Sequence, residues 1–429
     1  MYFEDLAAAI ATFPGVADWR LTWSDSAGTS LGIKDNHIGS VYAPLAYGDG
    51  RSGSYLLQWD DRRLSRGGVD GSTLAHLDEV LGAAREAAYH DPDAAIFLGP
   101  DTFADLPSFD LATERLLREQ VDELVDLLRL VIAPRANHTI STVSGHVGAG
   151  AGQSGVMTSR GLNVRDAGTS VGWSAGYDRL VGDGDSSRSP FNPAEVAARL
   201  GELVALWESL QQPPTVPLRT GPQMVLFSPG VAGSLAGHYL WGNLSGSKVF
   251  HGQSAFTLAD FEQKAQRFRS DISLRVDPLR PMTSGSFTFT SEGLPAAPET
   301  YIENGRLVMP TLNLKYARKL GWRPTTPPGG PRTVFFDDGA PLSLDEGRVA
   351  AHILVLDLLG LHTQDSTTGQ FSLSAPTCLL LTTDGHGSGR MKIGLSGNYF
   401  ELLNDPATRF VRFPHKDTPG LLARVTVSA

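Results

Sequence analysis

Two serines stand in the spacing of a nucleophile elbow, Gly168-Thr-Ser170-Val-Gly172 and Gly172-Trp-Ser174-Ala-Gly176. Such an elbow lifts a serine between an apolar strand and a helix, where backbone N–H groups can hold an oxyanion. Here Arg165-Asp166 precede the pattern, and the residues to Gly184 lack helical periodicity, so the glycines read as turns or bulges in a sheet. A serine-type hydrolase acting at Ser170 or Ser174 is one functional alternative for the chain. Gly150-Ala-Gly152-Gln-Ser-Gly155 has dinucleotide-loop spacing, but a strand-like Val156-Met-Thr-Ser-Arg follows where a helix should meet the phosphates, and the segment reads as a flexible loop. Asp183-Gly-Asp185 lacks the further carboxylates of a calcium loop and reads as a solvated turn. His352, His362, His386 and His415 do not share the spacing of two ligands on one helical turn.

The element around which these residues are organised lies at mid-chain. The apolar run 223–227 precedes Ser228-Pro229, which suit a helix N-cap and first turn. The helix that follows contains Gly230, Gly233, Gly237 and Gly242, each costing about 0.8–1 kcal/mol against alanine. Burial must therefore stabilise it. Gly233 and Gly237, four apart, leave one face almost bare for another backbone to approach. His238, alone on this helix, has the ordinary reading of a hydrogen-bonded core or groove residue.

The chain has 429 residues, 41% of them hydrophobic and 19% charged, which fits a folded protein of two domains. A net charge of −10 and the lack of any basic run beyond a dipeptide argue against a nucleic-acid partner. No uncharged apolar stretch is long enough to span a membrane, and no basic segment precedes an apolar one at the start, so a cytoplasmic location is expected. The single cysteine, Cys378, lies in an apolar run and reads as a buried core residue.

Helical spacing of Phe3, Leu6, Ala7 and Ile10 predicts a first helix ended by Pro14-Gly15. Strands are expected at 20–23, 30–33, 37–42 and 54–59, with turns at Asp35-Asn36 and Gly48-Asp49, as an antiparallel meander. A helix capped by Ser72 runs to Ala88, a second runs from Leu116 to Val131, and a third starts at Asn192-Pro193. Further strands are expected at 139–147 and 156–172. The proline-rich stretch 211–217 reads as a stiff linker, dividing an N-terminal α+β domain (1–211) from a C-terminal domain (218–429).

Several segments resemble the TldD/TldE (PmbA) family of heterodimeric peptidases, once labelled modulators of DNA gyrase. These are the strand, Ser228-Pro229 turn and Leu244-Ser-Gly246 around the glycine-rich helix, Asp271 to Pro278, Glu292-Gly293, Ile302-Glu-Asn-Gly305, the helix from Ser343 to Leu361, Thr368-Gly-Gln-Phe-Ser372, the last strand 421–429, and in the first half Ser30-Leu-Gly-Ile33 and Ser159-Arg-Gly-Leu162. The resemblance implies an α+β N-terminal domain, its antiparallel sheet packed by helices, and a C-terminal domain of curved antiparallel sheets with a few helices. The family's catalytic subunit carries His-Glu-x-x-x-His on this helix, and those positions fall on Gly237, His238 and Gly242. Its cysteine ligand has no counterpart between Asn404 and Pro419. By this resemblance the chain belongs with the TldE branch, with no metal or cofactor and no catalytic residue. It would bind unfolded peptide as the partner of a TldD-type zinc peptidase, or self-associate as a homodimeric scaffold. Gly233, Gly237, Tyr239 and Trp241 are the expected peptide or partner contacts.

Overall fold

The predicted first helix forms at Tyr2–Thr12 and buries the four residues of its periodic stripe, Phe3, Leu6, Ala7 and Ile10. In the computed structural model, which describes residues 2–429, it packs on a sheet of long antiparallel strands in the order Leu64–Asp70, Ala46–Trp59, Val16–Lys34, Val143–Thr158, Asn163–Tyr177, Val181–Ser187. Asp35 and Asn36 both have positive φ, as a tight hairpin turn requires, and lead into the short strand His37–Ile38.

The strands are longer than the hydrophobic pattern suggested. The segments 20–23 and 30–33 are two ends of one strand, and Gly48-Asp49 lies inside Ala46–Trp59 rather than at a turn. Likewise Gly150 to Gly155 is strand, not a flexible loop, and 139–147 with 156–172 regroup as the hairpin Val143–Thr158 and Asn163–Tyr177. The cause is common to all of them. Ser24 to Ser30 pair with 46–52 on one side and 148–154 on the other, so backbone bonding carries each strand through residues that show no apolar alternation.

Three helix expectations also change. The second helix breaks at Glu119-Gln120 into Leu111–Arg118 and Val121–Ile132. The helix after Ser72 is a 3₁₀ turn, Thr73–His76, followed by Leu77–Glu86, and the Ser72 hydroxyl does not cap it. Ser343 and Glu346 do form a capping box, but that helix is Leu344–Ala350 and does not reach Leu361, because Ile353–Val355 pairs as a strand between Gly221–Phe227 and Gln370–Leu381. The third helix, Pro193–Gln211, is as expected, with the Asn192 side chain accepting from Ala194 N at 3.0 Å.

In the C-terminal half, Gly221–Phe227, Ile353–Val355, Gln370–Leu381, Gly387–Asn398 and Gly420–Ser428 pair in sequence around a closed ring, because Gly420–Ser428 also bonds Gly221–Phe227. The pairing is antiparallel except where Ile353–Val355 runs parallel to Gly221–Phe227. Alternation divides the ring's side chains. Val225, Phe227, Ile353, Val355, Cys378 and Leu380 face the glycine-rich helix, whereas Leu226, Leu354, Leu379 and Leu381 join Leu200, Leu203, Val204 and Trp207 of Pro193–Gln211. A smaller sheet orders Arg306–Leu307, Glu299–Glu303, Ser273–Val276 and Val334–Asp337. Cys378 is buried, as the sequence implied, and burial pushes its thiol up to about 12. Among the described residues no helix is long and apolar enough to cross a membrane.

The helix Pro193–Gln211 therefore packs on both halves, and the 211–217 linker is itself anchored, with Thr215 bonded through N and Oγ1 to Ser388 Oγ at 3.0 and 2.7 Å. A charge network closes the same boundary. Asp183 and Asp185 are strand residues, not a solvated turn: Arg199 reaches Asp183 at 2.9 Å and Asp185 at 2.6 Å, Arg332 reaches Asp185 at 2.8 Å and Asp417 at 3.3 Å, and Lys416 bonds Asp183. Burial opposes ionisation of Asp183, but the bonds from Arg199 and Lys416 outweigh it and hold its carboxyl below the ordinary range. A depressed native pKa means that this stabilisation is complete above about pH 4 and is lost as the pH falls through the native value. Asp183→Asn should lower the melting temperature at neutral pH and flatten its decline in acid. Arg199→Met should cost about 3 kcal/mol in urea unfolding, because it strands buried carboxylates.

Candidate functional site

The long sheet has a hydrophobic core at each end and none in the middle. At one end Phe3, Ile10, Trp19, Leu21, Tyr55, Leu57 and Met157 pack together, and at the other Leu31, Ile33, Val147, Val171 and Trp173 pack on helices. Between them the strand register sets small residues opposite one another in rows. One row is Gly48, Gly28, Gly150 and Ser170, and the next along the same face is Gly50, Ser26, Gly152 and Gly168. Flanking rows are Ala46, Ser30, Gly148, Gly172 and Ser52, Ser24, Ser154, Asp166. At a strand spacing of about 4.8 Å this is a floor of about 15 by 20 Å, with Asp166 the only side chain in these rows larger than serine.

A cavity of about 700 Å³ stands on this floor, and its far wall is the segment 286–289 from the C-terminal half. Arg188 ties wall to floor, donating to Thr283 O at 3.3 Å, Ser286 O at 2.7 Å and Thr169 O at 3.2 Å. Burial lowers the pKa of this guanidinium, with Asp166 acting in the opposite sense. Asp166 accepts from Ser108 Oγ on one oxygen and from Thr288 Oγ1 on the other, each at 3.3 Å. Sequence reasoning did not single out this site. Its signal was present as small residues at every second position in four separate segments, Ser24 to Ser30, Ala46 to Ser52, Gly148 to Ser154 and Gly168 to Ser174.

Ser170 and Ser174 lie inside Asn163–Tyr177, which pairs on both sides, so the strand–turn–helix of a nucleophile elbow is not formed. Ser174 stands across from His146, with no hydrogen bond between them. The serine-hydrolase alternative thus loses its geometric basis.

The glycine-rich helix starts at Pro229 as expected, although the Ser228 hydroxyl makes no capping bond. Pro229–Leu235 is α-helical and Ala236–Trp241 continues as π-helix, with Gly242 N bonded to Gly237 O at 3.2 Å. Single π turns occur often at functional sites. Val231, Leu235, Tyr239 and Leu240 are buried, while a Cβ at Gly230 or Gly237 would meet nothing within 4 Å. The bare face is therefore open. Gly233 is closer to company, with Thr418 Cγ2 at 3.6 Å from such a Cβ.

His238 Nε2 is 3.0 Å from Gln364 O. Tyr239 is fully buried, donates to Gln370 O at 2.9 Å, stacks on Tyr399 at 5.3 Å, and has its phenol pushed up to about 12 by burial and then by Asp365. It belongs to the core and not to a contact surface, which corrects its place among the expected peptide contacts. Trp241 is half-buried, edge-on to Tyr301 at 5.3 Å.

Residues 220–419 match the sequence profile of the PmbA/TldA metallopeptidase C-terminal domain. That match covers a little under half of the chain and marks its C-terminal part as similar to the PmbA/TldD family. The chain's fold is similar to TldE from Thermococcus kodakarensis, with a TM-score of 0.81 at 18% identity over 100% of both chains. It is also similar to proposed DNA gyrase modulators from Bacteroides thetaiotaomicron (0.81, 17% identity, 99% of this chain and 97% of that one) and Thermotoga maritima (0.75, 20% identity, 100% and 99%). No curated protein matches the chain in sequence.

The zinc implied by the family's catalytic members does not fit the residues present. Gly237 and Gly242 offer no donor side chain, His238 is already engaged, and among the described residues no three of His, Cys, Asp and Glu converge. Nor would the backbone take a ligand at 242. A Cβ there would stand 2.5 Å from His238 O. Gly242→Ala should consequently destabilise the protein by about 1–3 kcal/mol, whereas Gly237→Ala should be neutral or stabilising by up to about 1 kcal/mol. Urea unfolding of the two variants checks the pair.

Proposed function

We propose that this PmbA/TldD-like protein binds an extended, unfolded peptide and pairs with a separately encoded TldD-type zinc peptidase that cleaves it, supplying no cleavage chemistry itself. The observation that carries this reading is glycine at 237 and 242, where the family's catalytic motif has histidines, with His238 in the place of its general base. Restoring both histidines would still leave no carboxylate to accept a proton from water. The open, small-residue cavity supports the binding half of the reading, since close backbone approach and main-chain hydrogen bonding tolerate varied sequence. Unclustered positive charge and a net charge of −10 favour a peptide over DNA as ligand.

Co-expression with a homologue that retains His-Glu-x-x-x-His should give a stable heterodimer, burying about 2,000 Å² or more, that hydrolyses unfolded peptides. The chain alone should hydrolyse none, and elemental analysis after chelator-free purification should find far less than one zinc per chain. One tightly held equivalent, or peptide cleavage by the isolated chain, overturns the reading. A homodimer that ignores the homologue would favour the scaffold instead.

A further inference from the structure

We propose that the glycine floor and its facing wall form a subsite for aromatic side chains of the bound peptide, an inference that rests on the peptide-binding reading above. The chain's own sheets show the chemistry. Tyr55 lies over its cross-strand neighbour Gly67, Trp23 over Gly155 and Phe371 over Gly397, so closely that a Cβ on any of these glycines would run into the ring. A glycine lets a ring lie flat on the faces of the peptide groups, a contact that an added side chain would block.

The row Gly48, Gly28, Gly150 has no such cover. A Cβ at Gly48 would meet nothing within 4 Å, one at Gly28 only Ala149 O at 3.6 Å, and one at Gly150 would find the Ser170 hydroxyl at 3.0 Å and Ala27 O at 3.6 Å. Three adjoining strands span about 10 Å, enough for one ring. Phe287, whose ring lies against Gly329, and Phe289, which packs on Phe103 and Val156, line the cavity from the wall and are both only half-buried, so a ring on the glycines would lie alongside them.

A separate observation points to a ligand at the same place. Ser286, in the cavity wall, is 4% exposed, and its hydroxyl has no hydrogen-bond partner. Buried hydroxyls are nearly always paired, and a χ1 rotation of Ser286 toward the cavity would let this one donate to a peptide carbonyl beside the seated ring. The hydroxyl fixes the backbone, and the glycines and phenylalanines select the side chain. Arg188 is a positioning residue, holding Ser286 through its carbonyl.

The test is fluorescence anisotropy of the full chain with two fluorescein-labelled, unstructured peptides of equal length and charge, one carrying tyrosine and phenylalanine where the other carries leucine. The aromatic peptide should bind about tenfold more tightly. In a Gly28→Ala, Gly48→Val variant that preference should vanish while the melting temperature holds or rises, because both positions have room for the new atoms and sheets favour β-branched residues. Ser286→Ala should weaken the aromatic peptide by about three- to tenfold. Equal binding of the two peptides, or a preference that survives the double variant, overturns the aromatic subsite and leaves peptide binding standing. Binding of neither peptide overturns both. Unchanged affinity in Ser286→Ala removes the hydroxyl from the site.

Discussion

Four neighbouring strands of 14 to 19 residues must keep a single register through a middle that has almost no side chains to specify it. A glycine-rich sheet slips easily, because a shift by one residue moves little of consequence from one face to the other. Here the register is pinned from outside the bare stretch. Trp19, Leu21 and Leu57 belong to a core at one end, and Leu31, Ile33 and Val147 to a core at the other. A one-residue slip would turn both sets out toward water. Two cores that share the same strands thus permit a smooth floor between them, and that floor is the base of the largest feature of the candidate site.

A floor makes a cavity only if the opposite wall stays in place. The wall comes from residues far along the chain, so its position depends on how the two halves meet. Pro193–Gln211 shares one buried cluster with Trp173 and Tyr177 on one side and Leu226, Leu354 and Leu422 on the other, which fixes the two halves against each other away from the cavity. Arg199, also seated over Trp173 at 4.8 Å, ties Asp183 and Asp185 to the helix, and Arg332 and Lys416 extend the network to the C-terminal half. Arg188 performs the local version of the same task. Removing charges at this seam would therefore affect the cavity as well as stability.

The glycine-rich helix is a different kind of site. Its buried face is ordinary core, with Val231, Leu235, Tyr239 and Leu240 packed on strands of the closed ring, and this packing offsets the cost of its glycines. Its other face is bare, with open space over Gly230 and Gly237. The π turn brings the backbone at 242 too close to His238 O for a side chain. With glycine at 242 the helix can adopt a geometry that a residue carrying a Cβ there could not share.

Much of this was legible in the sequence. The stripe Phe3, Leu6, Ala7, Ile10, the Asn192-Pro193 start of the long helix, the burial of Cys378 and the α+β class follow from local pattern, because side-chain periodicity and caps are set by residues a few positions apart, while the family likeness rested on the resemblance of particular segments. Strand length was not legible. Gly48-Asp49 reads as a turn and 150–155 as a loop because glycine permits either, and only pairing makes them strand, with 27–28 about twenty residues away in the first case and with 23–28 more than 120 residues away in the second. The same holds for Asp183 and Asp185, whose solvated appearance disappears once Arg199 and Lys416 are brought beside them. Tyr239 and Trp241 looked equally available, and tertiary packing alone decided that one is enclosed and the other half-open. The sequence by itself determined which residues are small, apolar or charged and at what local spacing. Which small residues form a floor, and what faces them, was decided by long-range pairing, since a surface built from four strands and a distant wall exists only when they meet.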